Sequence, residues 1–238
     1  MFGFNCICWY RRCGACLLAI LAAAPQPVLA AAYEDGLAAY EAGEYRRAYE
    51  VWLPLAEGGN CRAQFGIGET LFTLRHGPIS DTKAPSNKDR AWSKHIFGPY
   101  RDALDEPRLY WYRRAAEQGH AEAQEHIARH YMTFWGGDVS PDPSDPYFQE
   151  GFRWLHRAAE NGDFFAMWQL TDYHFNSDPL QSYKWSLLLR DQGVSDQLWG
   201  WRIEHFRKTL SAAQRRAAEQ QAAEWHAAHE NVPPWGPC

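Results

Sequence analysis

His126 and His130 stand four residues apart in a run of strong helix formers, so both imidazoles project from one helical face. That is the spacing of a zinc or copper pair. Glu125 precedes the first histidine instead of following it, so the run is not the HExxH of zinc proteases, and no third ligand is evident. The pair reads as solvated or packed histidines, and no metal is assigned. His226 and His229, three apart, make a weaker pair still. Cys13-Gly14-Ala15-Cys16 has redox spacing but sits at the mouth of an apolar run, where no thioredoxin-like fold surrounds it. The adjacent acids Glu34–Asp35 and Asp105–Glu106 fall at helix starts or in loops, where carboxylates suit the helix dipole. Nothing aims two carboxylates into one cleft, as glycoside hydrolysis requires. The chain has no G-x-S-x-G elbow and no Walker loop. Gly66-Ile67-Gly68 lies on an aliphatic helical face without a following strand, so it is not a dinucleotide fingerprint. The sequence therefore assigns no catalytic residue and no cofactor, and the expectation is a protein that binds and does not catalyse.

The first thirty residues are read as a secretory signal peptide, 1–30. Arg11 and Arg12 supply the positive start, Leu17 to Ala24 an apolar run, and Val28-Leu29-Ala30 the small residues before a cut after Ala30. The apolar run is shorter than the roughly 20 residues of a membrane-spanning helix, so contact with a membrane is expected only through this export signal. Removing the segment takes two arginines and no acid, and the formal charge moves from −5 to −7. No basic stripe marks a nucleic-acid surface. Four of the six cysteines leave with the segment, and Cys61 and Cys238 remain. Two cysteines in a periplasmic or secreted chain fit one disulfide, two thiols or a link to another chain. Cys61, early on a helix, reads as a small packed thiol.

The elements that carry these residues repeat. Four segments align without gaps and end in glycine: Val51 to Gly59, Trp111 to Gly119, Trp154 to Gly162, and more weakly Trp185 to Gly193. Behind the first three glycines a small residue recurs four positions on (Ala63, Ala123, Ala166), and an aliphatic one four later (Ile67, Ile127, Leu170). An aromatic followed four residues on by a small residue puts both on one face of a helix. Glycine then closes the helix, because its left-handed C′ position carries no Cβ clash. The second helix returns its small and aliphatic residues onto the first. Neither helix buries its face alone, so stacked units must share one core.

The run Gly36 to Ala48 resembles the opening of a tetratricopeptide unit, and Trp111 to Ala123 (WYRRAAEQGHAEA) is similar to the Sel-one-like repeat of that superfamily. The resemblance covers residues 33–72, 108–131, 152–174 and 182–194, about half of residues 31–238. It implies an all-α fold: a right-handed α/α solenoid of helix–turn–helix repeats that serves as an adaptor or scaffold. It also implies a protein or peptide partner in the cell envelope, and it carries no catalytic residues. By the same resemblance the segment starting near Ala121 lines the concave side. Ala123, Ile127, Ala128 and Tyr131 then match the packing positions, leaving Glu122, Glu125, His126, Arg129 and His130 outward as the expected partner-binding residues.

The pattern is interrupted twice. Residues 73–107 are polar and rich in breakers yet contain Trp92, Ile96, Phe97 and Tyr100, which fits either a functional loop or an excursion pinned by its aromatics. Residues 136–146 are Pro, Asp and Gly, a plain loop. Ser211 with Gln214 forms a capping box, and the helix formers that follow predict a terminal capping helix over 211–229 with an extended tail after it. Trp111, Trp154 and Trp185 sit at a repeat position and are expected in the core. Trp92, Trp135, Trp199, Trp201 and Trp235 fall off that register. An exposed row of them would suit an envelope polysaccharide, one alternative to a protein partner, and a third ligand beside His126 and His130 would instead suit a metal-binding protein or enzyme.

Overall fold

The computed structural model describes residues 26–77, 83–97, 107–133, 143–193, 196–233 and 235–238. Eleven helices make up the described part, which contains no strand. They are α1 (Gln26–Glu41), α2 (Tyr45–Glu57), α3 (Cys61–His76), α4 (Asn87–Phe97), α5 (Pro107–Glu117) and α6 (Ala121–Thr133), then α7 (Pro146–Glu160), α8 (Phe164–Ser177), α9 (Pro179–Asp191), α10 (Asp196–Thr209) and α11 (Ala212–His229). Consecutive helices pack in a stack: α1 on α2, α2 on α3, α3 on α5, then through α6, α7 and α8 to α9, which also carries α10 and α11. The four aligned units are therefore α2–α3, α5–α6, α7–α8 and α9–α10. Most of the expected signal peptide, residues 1–25, lies outside the described residues, and α1 runs across the expected cut after Ala30.

The repeat chemistry works as its residue types require. Gly59, Gly119, Gly162 and Gly193 have φ of 95°, 98°, 98° and 90°, the left-handed turn that a Cβ disfavours. The next residue caps the second helix in three units: Asn60, Asp163 and His120 each accept the N–H three residues on. The alanines four beyond the glycines and the aliphatics eight beyond them are fully buried, as are Trp52 and Trp185, with Trp111 and Trp154 nearly so. Gly66 and Gly68 have a packing role. A Cβ at Gly66 would stand 2.7 Å from the Trp52 ring, and one at Gly68 2.3 Å from the Tyr112 ring, so these glycines let two core aromatics lie against the α3 backbone.

A polar ladder runs beside this core. Gln64 and Gln124, each five past a turn glycine, donate Nε2 to the carbonyls of Ala56 and Ala116, both at 2.9 Å. Their Oε1 atoms accept from the residue just before the next turn glycine, Gln118 at 2.7 Å and Asn161 at 2.9 Å. In the third unit Met167 takes the glutamine's place, with Gln192 Nε2 at 3.5 Å from its sulfur. Each turn is thus tied to the next through a buried side chain, and the buried amides of Gln64 and Gln124 have their hydrogen bonds satisfied, the condition under which buried amides stabilise.

The C-terminal segment runs back along these turns. The Ser211–Gln214 capping box starts α11, which packs on α9. His226 reaches Asp191 at the end of α9 (3.1 Å), and Trp225 donates to the Glu160 carbonyl before Gly162 (3.2 Å). Trp235 O accepts from Ala121 N at 2.9 Å beside the Gly119 turn. Arg62 lies 3.8 Å over Tyr33 and 4.2 Å over Trp235. Cys238 then forms a disulfide with Cys61, with Cα atoms 6.1 Å apart. Cys61 is therefore not the packed thiol expected from its helix position. Of the three states open to the two cysteines it is the disulfide, because the returning tail delivers Cys238 to the start of α3.

The 73–107 insertion is narrower than expected, because Thr73 to His76 complete α3 and Pro107 opens α5; between them the described residues include α4, which rests on the first unit. Ser86 and Asp89 cap α4 through three mutual hydrogen bonds, Trp92 packs edge-on to Tyr49 at 5.2 Å, and Ile96 joins the α2–α3 core. Tyr45 donates its hydroxyl to the Lys83 carbonyl. Two of its aromatic and aliphatic side chains, Trp92 and Ile96, are thus pinned against the first unit. Residue 100, and the 136–142 part of the second loop, lie outside the described residues. No described helix is long and apolar enough to cross a membrane.

Candidate functional site

The second helices α3, α6, α8 and α10 are joined in a row by side chains. Glu69 on α3 stands 3.5 Å from His126 Nδ1 on α6. Glu125 on α6 accepts from Gln169 on α8 at 3.4 Å. Asp172 on α8 accepts from Arg202 on α10. The turn geometry produces the row for the first three, because α3, α6 and α8 each begin two residues after a left-handed glycine and so present the same positions. Residues three past the glycine are Arg62, Glu122 and Phe165, and those ten past it are Glu69, Arg129 and Asp172.

The five residues expected on this face divide. Glu122 and Arg129 are exposed. His130 is half-buried against Tyr131, with ring centroids 5.8 Å apart. Glu125 is 5% exposed and the His126 side chain 15%, so these two are not outward-facing. The expectation allotted α6 one buried stripe. The helix instead packs between α5 and α7 and also meets α3 side chains, so more of its circumference is covered.

His126 belongs to a buried polar set that the sequence reading missed. Tyr112 on α5 donates its hydroxyl to Glu69 Oε1 at 2.6 Å, and Phe65 packs edge-on to His126 at 5.6 Å and flat on His120 at 4.3 Å. Burial raises the Glu69 carboxyl, and burial with the neighbouring Glu69 charge drives the Tyr112 hydroxyl well above its usual range. Burial, with help from Arg129 and Arg108, lowers His126 to about 3. His126 is thus neutral at pH 7, and its approach to Glu69 is a polar contact between helices, not an ion pair. The recurrence of Phe65, Glu125 and Trp168 six past successive glycines was the available signal that this side of the helices packs between units.

The rest of the face is acidic and partly desolvated. Burial raises Glu125, partial desolvation by neighbouring helices raises Glu122 although its side chain reaches solvent, and burial raises Asp163 to about 7 with Glu125 and Glu122 adding to the effect. Arg129 lies 3.5 Å from Glu125, and Arg62 lies 3.5 Å from Glu34. Two large apolar side chains are exposed on the last two second helices: Phe165 at the start of α8, 65% exposed, and Trp201 on α10, 55% exposed, whose ring lies 6.0 Å from Phe175 near the other end of α8. Of the off-register tryptophans, Trp92 and Trp235 are engaged with Tyr49 and Arg62, while Trp135 and the Trp199 side chain lie outside the described residues.

No protein-family model matches the chain, and no curated protein matches it.

Proposed function

We propose that the protein is an exported, non-catalytic adaptor of the Sel-one-like kind that holds a protein or peptide segment along the row of second helices. The observation that carries this is the row itself: four helices from four units present one face, held in register by the Glu69–His126, Glu125–Gln169 and Asp172–Arg202 contacts. A rigid scaffold with projecting groups lowers the ordering cost of binding. Glu122 and Arg129 offer charges of both signs, and Phe165 and Trp201 offer anchors of the type that dominates binding energy at interfaces. The fitting partner is an extended or helical segment with apolar side chains at one end and mixed charge at the other. The signal-like order of residues 1–30 supports a periplasmic or secreted location.

The experiment is partner capture by affinity purification from crosslinked cells, comparing the wild type with a Phe165→Asp, Trp201→Asp double variant. Both side chains are largely in solvent, so the thermal melt stays within the spread of ordinary surface substitutions, about ±0.5 kcal/mol. Recovery of the partner falls at least tenfold. Equal recovery from the double variant removes the aromatic end from the binding face.

A further inference from the structure

Within each unit, the residue six before the turn glycine and the residue twelve after it lie on facing parts of the two helices. In the first unit these are Leu53 and Leu71, members of one apolar cluster. In the second they are Arg113 and Tyr131, with the guanidinium donating to the hydroxyl at 2.8 Å. In the third they are His156 on α7 and His174 on α8. Their Nε2 atoms are 3.3 Å apart and their ring centroids 5.2 Å. The Phe152 ring packs edge-on to both imidazoles, at 4.7 and 5.7 Å, and restricts their rotation.

The two nitrogens can share one proton as a weak hydrogen bond, at a separation just beyond the 2.7–3.2 Å usual for N–H···O bonds. Two imidazole nitrogens bound at about 2.05 Å to one tetrahedral metal ion stand about 3.3 Å apart. We propose that His156 and His174 form a two-histidine site for a borderline divalent transition ion such as Zn²⁺ or Cu²⁺, with water in the remaining positions. The donor set excludes Mg²⁺ and Ca²⁺, which take oxygen ligands. Among the described residues no group of three or more His, Cys, Asp and Glu gathers to hold an ion, so this site has two protein ligands. Both imidazoles are held below their usual range, His156 by burial and the neighbouring His174, and His174 by burial. Coordination takes the unprotonated imidazole, so uptake of the ion is expected to release any proton the pair holds. The surrounding charges are of both signs: Asp178 favours a cation beside His174, while Lys184, which opposes one beside His156, is ion-paired to Glu160 at 2.7 Å. A bound ion would bridge α7 to α8 in the one unit whose two facing positions are both imidazoles.

The test uses the full chain after export, with its disulfide intact, titrated with Zn²⁺ and separately with Cu²⁺ at pH 7.5 by calorimetry. The wild type binds one ion. His156→Ala and His174→Ala each weaken binding at least tenfold, the scale expected when a ligand is lost. His95→Ala, on exposed α4, does not. Cu²⁺ electron paramagnetic resonance of the wild type shows two coupled nitrogens, a readout independent of how the variants fold. The proposal is overturned if the wild type takes up no stoichiometric ion, if both alanine variants bind as tightly as the wild type, or if fewer than two nitrogens couple to the copper. None of these readouts requires the partner, so failure here and failure of the adaptor reading are separable.

Discussion

Cys238, the last residue of the chain, is bonded to Cys61 at the start of α3, 177 residues earlier. Between them the tail touches the Gly119 turn and α11 touches the Gly162 turn, so the bond closes a strap that runs along the units from last to first. The chain-entropy estimate for a loop of this length is about 5 kcal/mol, an upper figure because denatured chains retain structure. Reduction of the wild type is expected to lower the melting temperature by several degrees and by at most about 15 °C, and Cys238→Ser should melt like the reduced wild type. Superimposable melts with and without reductant would show that the strap adds nothing to stability.

Gly68→Ala is expected to destabilise although alanine is the better helix former by about 1 kcal/mol. The added methyl would meet the Tyr112 ring at 2.3 Å, and that ring is fully buried and hydrogen-bonded to Glu69. Overpacking of this kind costs roughly 1–3 kcal/mol. Urea denaturation of the variant checks it; a midpoint equal to or above that of wild type would mean the ring moves aside freely.

Asp163 gives a pH signature. Its carboxyl is pushed up to about 7 in the fold by burial and by Glu125 and Glu122, against an ordinary value of 3.8. The folded chain therefore holds that proton more tightly than the unfolded one. The carboxyl's contribution to stability is full below the ordinary value and is lost as the pH rises through 7. Asp163→Asn keeps an oxygen for the Ala166 N–H and removes the charge. It should gain on wild type more at pH 8 than at pH 5, while Asp163→Ala loses the cap at both, by about 1 kcal/mol. Thermal melts at the two pH values test this; an asparagine variant with no greater advantage at pH 8 would place the carboxyl back in its usual range.

What the sequence discloses follows from which interactions are local. The glycine turns, the alanine and aliphatic positions behind them, the core tryptophans and the Ser211–Gln214 capping box all lie within one turn or one helix pair, and each was readable from spacing. The face of α6 was misread because the packing positions implied by the resemblance make one buried stripe, while a helix inside a stack has neighbours on two sides. Glu125 and His126 are covered for that reason. Glu69, Tyr112, His156 and His174 escaped notice because their meeting depends on how helices face each other across a turn or between units. The glutamines were visible at matched positions, but nothing local said that Gln118 and Asn161 would complete the ladder. The role of Cys238 depended on a tail path that no short-range pattern encodes.

The most direct test of the adaptor account is site-specific photocrosslinking in intact cells with a benzophenone side chain placed singly at Glu122, Arg129 and Phe165. Arg46 and Arg153, exposed on the first helices α2 and α7, serve as controls. The account predicts that the three second-helix positions crosslink to the same partner, in an order along its chain that follows the units, and that the control positions do not. Crosslinks from the controls alone, or none from the second helices, would contradict it.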